Sequence, residues 1–163
     1  MSLALIRSAT AADAFRISAL LTSFSHTYLV APTADEKQAF LSTISEPAIR
    51  ALIGRNDMDY MVAEDRTSGA LAGAAGMQMG GVLIHLFVER AYQRKGLGRN
   101  LWEYLRDRAI QNGHSGIFTV YSSMNAVPVY EKFGFKVSGE RIHKNGGAAV
   151  PMRFEFPSQC PGP

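Results

Sequence analysis

The sequence predicts an α/β domain, a mixed sheet in one layer with helices on both faces. Three observations lead there. Helical segments come first, then a run of strands joined by short turns, and then the order strand, helix, strand, helix, strand over residues 82–156. Both later helices are bounded by glycine or proline, which place their ends. At 163 residues the chain is long enough for one core with most of its apolar surface buried, and a second domain is not expected. We therefore read residues 1–156 as a single domain and 157–163 as a flexible tail.

The elements follow in chain order. Leu5, Ile6 and Arg7 read as a short first strand. Thr10 and Asp13 make a capping pair ahead of Phe15, Ile17, Leu20, Leu21 and Phe24, the apolar stripe of a helix. Further helices are expected over residues 35–44 and 47–53. Residues 59–64 and the small-residue stretch "GALAGAAGMQMG" read as antiparallel strands around a turn at 67–69. Next, "VLIHLFVER" is a nearly continuous branched apolar run, which predicts a central strand buried on both faces. Leu97, Leu101, Trp102, Leu105, Ala109 and Ile110 then recur at helical spacing. "GIFTVYSSMNAVPVYEKFGF" gives another buried strand and a short helix, with Asn125 as N-cap, Pro128 in the first turn and Gly134 past the end. A hairpin of residues 135–143 and 149–156, turning at the Asn-Gly of "KNGG", completes the sheet.

Between the central strand and its helix lies "QRKGLGRN". Gly96 and Gly98 remove side chains where a ligand can approach, and the first N–H groups of the helix face that ligand. Arg94, Lys95 and Arg99 add full charges to the partial positive charge of the helix end, so a phosphate or pyrophosphate is the natural occupant. Two other phosphate cradles are excluded. A dinucleotide fingerprint needs glycine where Leu101 stands, and no Gly-Lys-Ser/Thr follows four spacer residues.

These residues resemble the GCN5-related N-acetyltransferases, which move an acyl group from acyl-coenzyme A to an amine. The run Gln93, Arg94, Lys95, Gly96, Leu97, Gly98 is similar to that family's pyrophosphate loop, directly after a strand reading Leu86, Phe87, Val88. Residues 125–135 are similar to its second motif, with Asn125, Tyr130, Gly134 and Phe135 in place. The matched region, residues 60–139, covers about half the chain. The resemblance implies a mostly antiparallel mixed sheet in which a parallel pair splays to admit the pantetheine arm of acetyl-coenzyme A. It implies cofactor contacts from Leu86, Phe87, Val88, Gln93, Arg94, Lys95, Gly96, Leu97, Gly98, Arg99, Asn125, Pro128 and Tyr130, and it allows a homodimer. A backbone N–H at Val88 would steady the oxyanion, and Tyr130 would protonate or hydrogen-bond the departing thiolate.

Attack on a thioester requires a neutral amine, and a free alkylamine with a pKa of about 10.4 is almost wholly protonated at neutral pH. His85, on the central strand, titrates in the useful range and is the first candidate base. Glu64, Glu89 and His26 are others, and ordered water is equally allowed. Cys160 lies in the tail among prolines, so transfer is expected to be direct, in a ternary complex. The family recognises its acceptor through "TSFSHTYLVAP" and "KNGGAAVPM", where Phe24, His26 and Tyr28 can wall a small pocket. No acidic cluster stands there, which argues against a strongly cationic acceptor. Small-molecule amines and protein amines both remain open.

Composition closes other routes. A net charge of +3 and a pI near 9.2 do not call for nucleic acid, whose binding needs basic residues spread between aromatic platforms. The four histidines and one cysteine lack metal-ligand spacing, so no metal is expected. No apolar stretch reaches the length of a membrane span and no basic-then-apolar leader opens the chain, so a cytoplasmic location is expected. The competing function is an acyl-coenzyme A sensor that keeps the cradle and does not turn over.

Overall fold

A computed structural model describes residues 3–144 and 147–157. After β1 (Ala4–Ser8) come a 3₁₀ turn (Ala11–Asp13) and the helices α1 (Ala14–Ser23), α2 (Ala34–Thr43) and α3 (Glu46–Ile53). The strands β2 (Met58–Asp65), β3 (Leu71–Gln78) and β4 (Val82–Val88) form the meander. Then follow α4 (Leu97–Gln111), β5 (Ile117–Ser122), α5 (Val127–Phe133), β6 (Lys136–Val137), β7 (Ile142–Lys144) and β8 (Gly147–Glu155). One sheet runs in the order β1-β2-β3-β4-β5-β8-β6, with β7 also on β8, and among the described residues β4 and β5 are its only parallel neighbours.

Local chemistry explains the helix ends. The carboxylate of Asp13 accepts from the Thr10 N–H at 2.8 Å, closing the expected box. Thr33 and Glu36 do the same for α2, and Ser45 caps α3. Helix α5 carries Pro128 in its first turn and ends at Gly134, whose φ of 103° and whose contact with the Phe154 ring leave no room for a Cβ.

Each face of the sheet has its own core. Ile17 and Leu21 of α1 and Ile49 of α3 bury against Val62 and Ala74. On the other face Leu97, Leu101, Trp102 and Leu105 of α4 meet Phe118, Phe135, Met152 and Phe154. The small residues of β3 let α4 come close: a Cβ at Gly73 would lie 3.0 Å from the Leu101 Cδ1.

Three expectations change. Residues 82–90 were expected to be buried on both faces, but of β4 only Leu83 is buried. Its pairing with β5 stops after Val82–Thr119 and Leu83–Val120, so among the described residues no strand continues along that edge beyond Leu83. Second, the final hairpin is interrupted, since β6 and β7 pair separately with β8. Pro151 sits opposite the break; its carbonyl accepts from Ser138 at 2.9 Å, on the side where its missing N–H would have continued the ladder. Third, Asn125 is not an N-cap. A 3₁₀ turn (Met124–Ala126) precedes α5, so Ser123 takes the cap position of the turn and Ala126 that of the helix, leaving Asn125 exposed between them. The Asn-Gly turn at 145–146, the tail at 158–163 and Cys160 lie outside the described residues.

Candidate active site

The opening begins where β4 leaves β5. A bulge places Leu83 opposite Met77 and His85 opposite Gly76, with Ile84 the extra residue. That single insertion sends Leu86 and Val88 to the α4 face with Leu83, and His85 and Phe87 to the α1–α3 face. The Glu89 N–H donates to the Ala72 carbonyl on β3 at 2.9 Å. Strand alternation therefore turns the N–H groups of Val88 and Leu86 to the opposite, unpaired edge. The Val88 carbonyl points the same way and accepts from the Gln93 side-chain amide at 2.9 Å.

At the end of β4 the chain turns through a 3₁₀ segment (Arg90–Tyr92), whose start the Glu89 carboxylate caps by accepting from the Ala91 N–H at 2.7 Å. Arg94 (φ 62°) and Gly96 (φ 81°) are both left-handed, and α4 starts without a side-chain cap. Backbone N–H groups so arranged form an anion-binding concavity. Gly98 has an ordinary φ, and a Cβ there would meet only Val88 Cγ2 at 3.6 Å and Phe133 Cζ at 3.8 Å. The fold's own packing does not demand glycine at this position. The ammonium of Lys95 donates to the Ala91 carbonyl at 3.2 Å. Arg99 donates to the Lys132 carbonyl at 2.8 Å and lies over the Phe133 ring at 5.2 Å. Arg94 is exposed and makes no ion pair among the described residues.

Across the opening, Asn125 and Pro128 are exposed and Tyr130 is buried, its ring edge-on to Phe133 and Phe135 at 6.0 and 5.5 Å. Burial, and then the neighbouring Tyr28, raise the Tyr130 hydroxyl well above the usual phenol range. It is therefore protonated at neutral pH and able to donate. On the α1–α3 face Phe87 meets Phe24 at 5.9 Å and Tyr28 at 5.6 Å, and Tyr28 stacks on Phe40 at 6.0 Å. Burial pushes the Tyr28 hydroxyl up to about 12. A bridge between Leu29 and Gly147 ties this wall to the β7–β8 hairpin.

The base candidates separate. Glu64 is held by Arg7 at 2.6 Å and Arg16 at 2.7 Å, in a network with Asp13, and those hydrogen bonds lower its pKa. Glu89 is spent as a cap, and His26 is exposed. His85 alone stands at the opening, partly buried, with Nδ1 2.9 Å from the Tyr60 hydroxyl. Burial lowers its pKa to about 4. Tyr60 carries no motif signal, and only the register of three strands reveals it. Among the described residues no three His, Cys, Asp or Glu side chains are grouped to hold a metal, and no helix is long and apolar enough to cross a membrane.

The opening suits a long anionic ligand: a concavity of N–H groups at one end and an unpaired strand edge, able to satisfy amides, along its length. An acetyltransferase (GNAT) domain model matches residues 28–156, most of the chain. Among solved structures, a GCN5-related N-acetyltransferase from Rhodopseudomonas palustris superimposes with a TM-score of 0.76 at 21% identity, over 96% of this chain and 98% of that one. The PaiA N-acetyltransferase from Thermoplasma acidophilum, in complex with coenzyme A, gives 0.75 at 16% identity over 96% and 100%. A phosphinothricin acetyltransferase from Sinorhizobium meliloti, in complex with acetyl-coenzyme A, gives 0.65 at 18% identity over 95% and 89%. No curated protein matches the chain in sequence.

Proposed function

The chain belongs to the acetyltransferase (GNAT) domain family, and on that premise we propose that it transfers the acetyl group of acetyl-coenzyme A directly to a primary amine in a ternary complex. The observation that carries this reading is the parting of β4 from β5 beside the uncapped start of α4. Bound there, acetyl-coenzyme A supplies an activated acyl carbon and a thiolate leaving group. The protein's own residues do the rest. The N–H groups from Leu97 to Arg99, with Arg94 and Lys95, hold the diphosphate, and Gly98 admits it. The N–H groups of Leu86 and Val88 meet the arm and the acyl oxygen, while Phe87 faces the acceptor. Asn125 and Pro128 line the arm from the far side.

Tyr130, protonated by virtue of its burial, gives a proton or a hydrogen bond to the leaving sulfur. The proton of the amine passes to water, because Glu64 and Glu89 are engaged elsewhere and His85 holds its Nδ1 against the Tyr60 hydroxyl. We read residues 1–156 as the catalytic domain and the acceptor as a small-molecule or protein amine. Incubation with acetyl-coenzyme A and a panel of primary amines, following free thiol and acetylated product together, tests the reading. Tight binding with no thiol released by any amine would replace it with an acyl-coenzyme A sensor.

A further inference from the structure

Tyr60, Gly76 and His85 stand side by side on three neighbouring strands, Tyr60 paired with Gly76 and Gly76 with His85. The middle position is bare for a reason. A Cβ on Gly76 would lie 2.6 and 2.7 Å from the Tyr60 Cε2 and Cδ2 atoms, closer than real atoms approach. The Tyr60 ring thus lies across the naked backbone of β3, and its hydroxyl reaches His85 Nδ1 at 2.9 Å.

The hydrogen-bond inventory of this pair decides its protons. Tyr60 is 4% exposed, and His85 is the only partner of its hydroxyl among the described residues. Were Nδ1 the donor, the phenol proton would be buried without an acceptor. With the phenol donating, both groups are satisfied, and a neutral imidazole then carries its one proton on Nε2. Neutrality follows from burial, which lowers the His85 pKa.

His85, whose Nδ1 is turned to Tyr60, also lines an open pocket of about 510 Å³ with Thr43, Ala48, Ala51, Leu52 and Arg55. Its polar groups are an imidazole N–H, a hydroxyl and a guanidinium that also pairs with Asp57. No carboxylate is among the lining residues. The Thr43 hydroxyl gives its proton to the Phe40 carbonyl, so the imidazole and the guanidinium are the donors left for an oxygen atom, and no lining carboxylate favours a second ammonium.

We propose that Tyr60, lying across Gly76, fixes His85 as its Nε2–H tautomer, and that this N–H donates to a carbonyl or carboxylate oxygen on the acceptor amine. The inference rests on the acetyl-transfer reading and names its substrate class: an amine bearing a nearby oxygen, as in amino acids, their amides or peptide termini. His85 then orients the acceptor and does not take the amine proton.

Nitrogen-15 NMR of His85 in the unliganded protein at neutral pH tests the tautomer independently of turnover. Nε2 is expected to be protonated in the wild type, with both tautomers populated in Tyr60→Phe and Gly76→Ala. A wild-type proton on Nδ1 overturns the inference whatever the activity. Kinetics test the role. His85→Ala should raise KM for an oxygen-bearing amine about tenfold, the worth of one hydrogen bond, with kcat and the KM for acetyl-coenzyme A little changed. His85→Gln, whose amide nitrogen can replace Nε2–H, should recover most of that loss. A collapse of kcat in both variants would make His85 the base and overturn the assignment. Glycinamide should be acetylated about tenfold more efficiently than ethylamine or ethylenediamine; preference for the diamine overturns the substrate class. Absence of turnover on every amine, with Nε2–H observed, refutes the acetyl-transfer reading and leaves the tautomer standing.

Discussion

Replacing Gly98 with alanine should move stability and binding in opposite directions. Gly98 is the second residue of α4 and does not have a positive φ, so alanine adopts its backbone without strain. The added Cβ would sit at ordinary contact distance from Val88 Cγ2 and Phe133 Cζ, 3.6 and 3.8 Å away. Exchanging glycine for alanine within a helix stabilises by about 0.5–1 kcal/mol, which for a chain of this size raises Tm by about 1–4 °C. The same methyl group fills the space between β4 and α5 that the diphosphate is proposed to occupy. Displacing it from two backbone donors, at about 1.5 kcal/mol per hydrogen bond to a charged group, costs about 3 kcal/mol, or somewhat over a hundredfold in Kd for coenzyme A. Titration calorimetry on Gly98→Ala, with a thermal melt of the free protein, reads both. Wild-type affinity in a folded Gly98→Val, whose branched side chain fills that space more fully, refutes the cradle. Weakened binding accompanied by a lowered Tm in Gly98→Ala refutes the claim that the fold does not need this glycine.

Arg94→Ala and Lys95→Ala should each weaken coenzyme A binding more at low than at high salt, because their charges are exposed and screened; a salt-independent loss in the titration would point to damage to the turn. Tyr130→Phe keeps the ring packing and should lower turnover about a hundredfold with coenzyme A affinity nearly unchanged, whereas equal losses in both assays would make the tyrosine only a wall of the cleft. Acid should destabilise the protein in two stages, read as urea midpoints between neutral pH and pH 3. His85, at about 4 in the fold against about 6.5 unfolded, lets the unfolded chain bind a proton that the folded chain refuses, so stability falls as pH drops through that window, and His85→Gln should flatten that stage. Asp13 is held well below the usual carboxylate range, chiefly by the Arg7 guanidinium at 2.8 and 2.9 Å, so its stabilisation is lost below about pH 4 and Asp13→Asn should flatten the second stage.

What can be read from the sequence is what local chemistry decides. The Thr10–Asp13 box, the Pro128 and Gly134 bounds of α5 and the stripe from Leu97 to Leu105 need only neighbouring residues to act, and the fold contains all of them. The differences depend on partners distant in the chain. Branched apolar residues over 82–90 predict a covered strand, yet the number of pairs β4 keeps with β5 is set by where β5 and β8 lie, not by β4 itself. Pro151 reads as one residue of a strand; only its place opposite residues 138–141 shows that the hairpin must break there. Asn125 is a good cap former, but the 3₁₀ turn it lies in moves the cap positions to Ser123 and Ala126. The pairing of Tyr60 with His85 depends on a glycine 16 residues from one and nine from the other, a relation that exists only in register.

Several positions that the fold's own packing does not explain lie along one edge. Arg94 holds a left-handed conformation that costs a non-glycine residue energy. Gly98 forgoes a side chain that would fit, β4 carries an extra residue at Ile84, and Leu86, Phe87 and Val88 remain half-covered. Each departure alone lowers stability or leaves apolar surface wet. Elsewhere the chain has boxed helix starts, a left-handed glycine ending α5 and cores on both faces, with left-handed Ala31 (φ 45°) and the buried Trp102 Nε1 as isolated departures. Departures that offset nothing within the fold, and that converge on one opening, are accounted for once a ligand satisfies them. The ligand that does so must bring negative charge to the start of α4, amides to the edge of β4 and apolar surface to Leu86 and Val88. An acyl-coenzyme A has those three parts in that order.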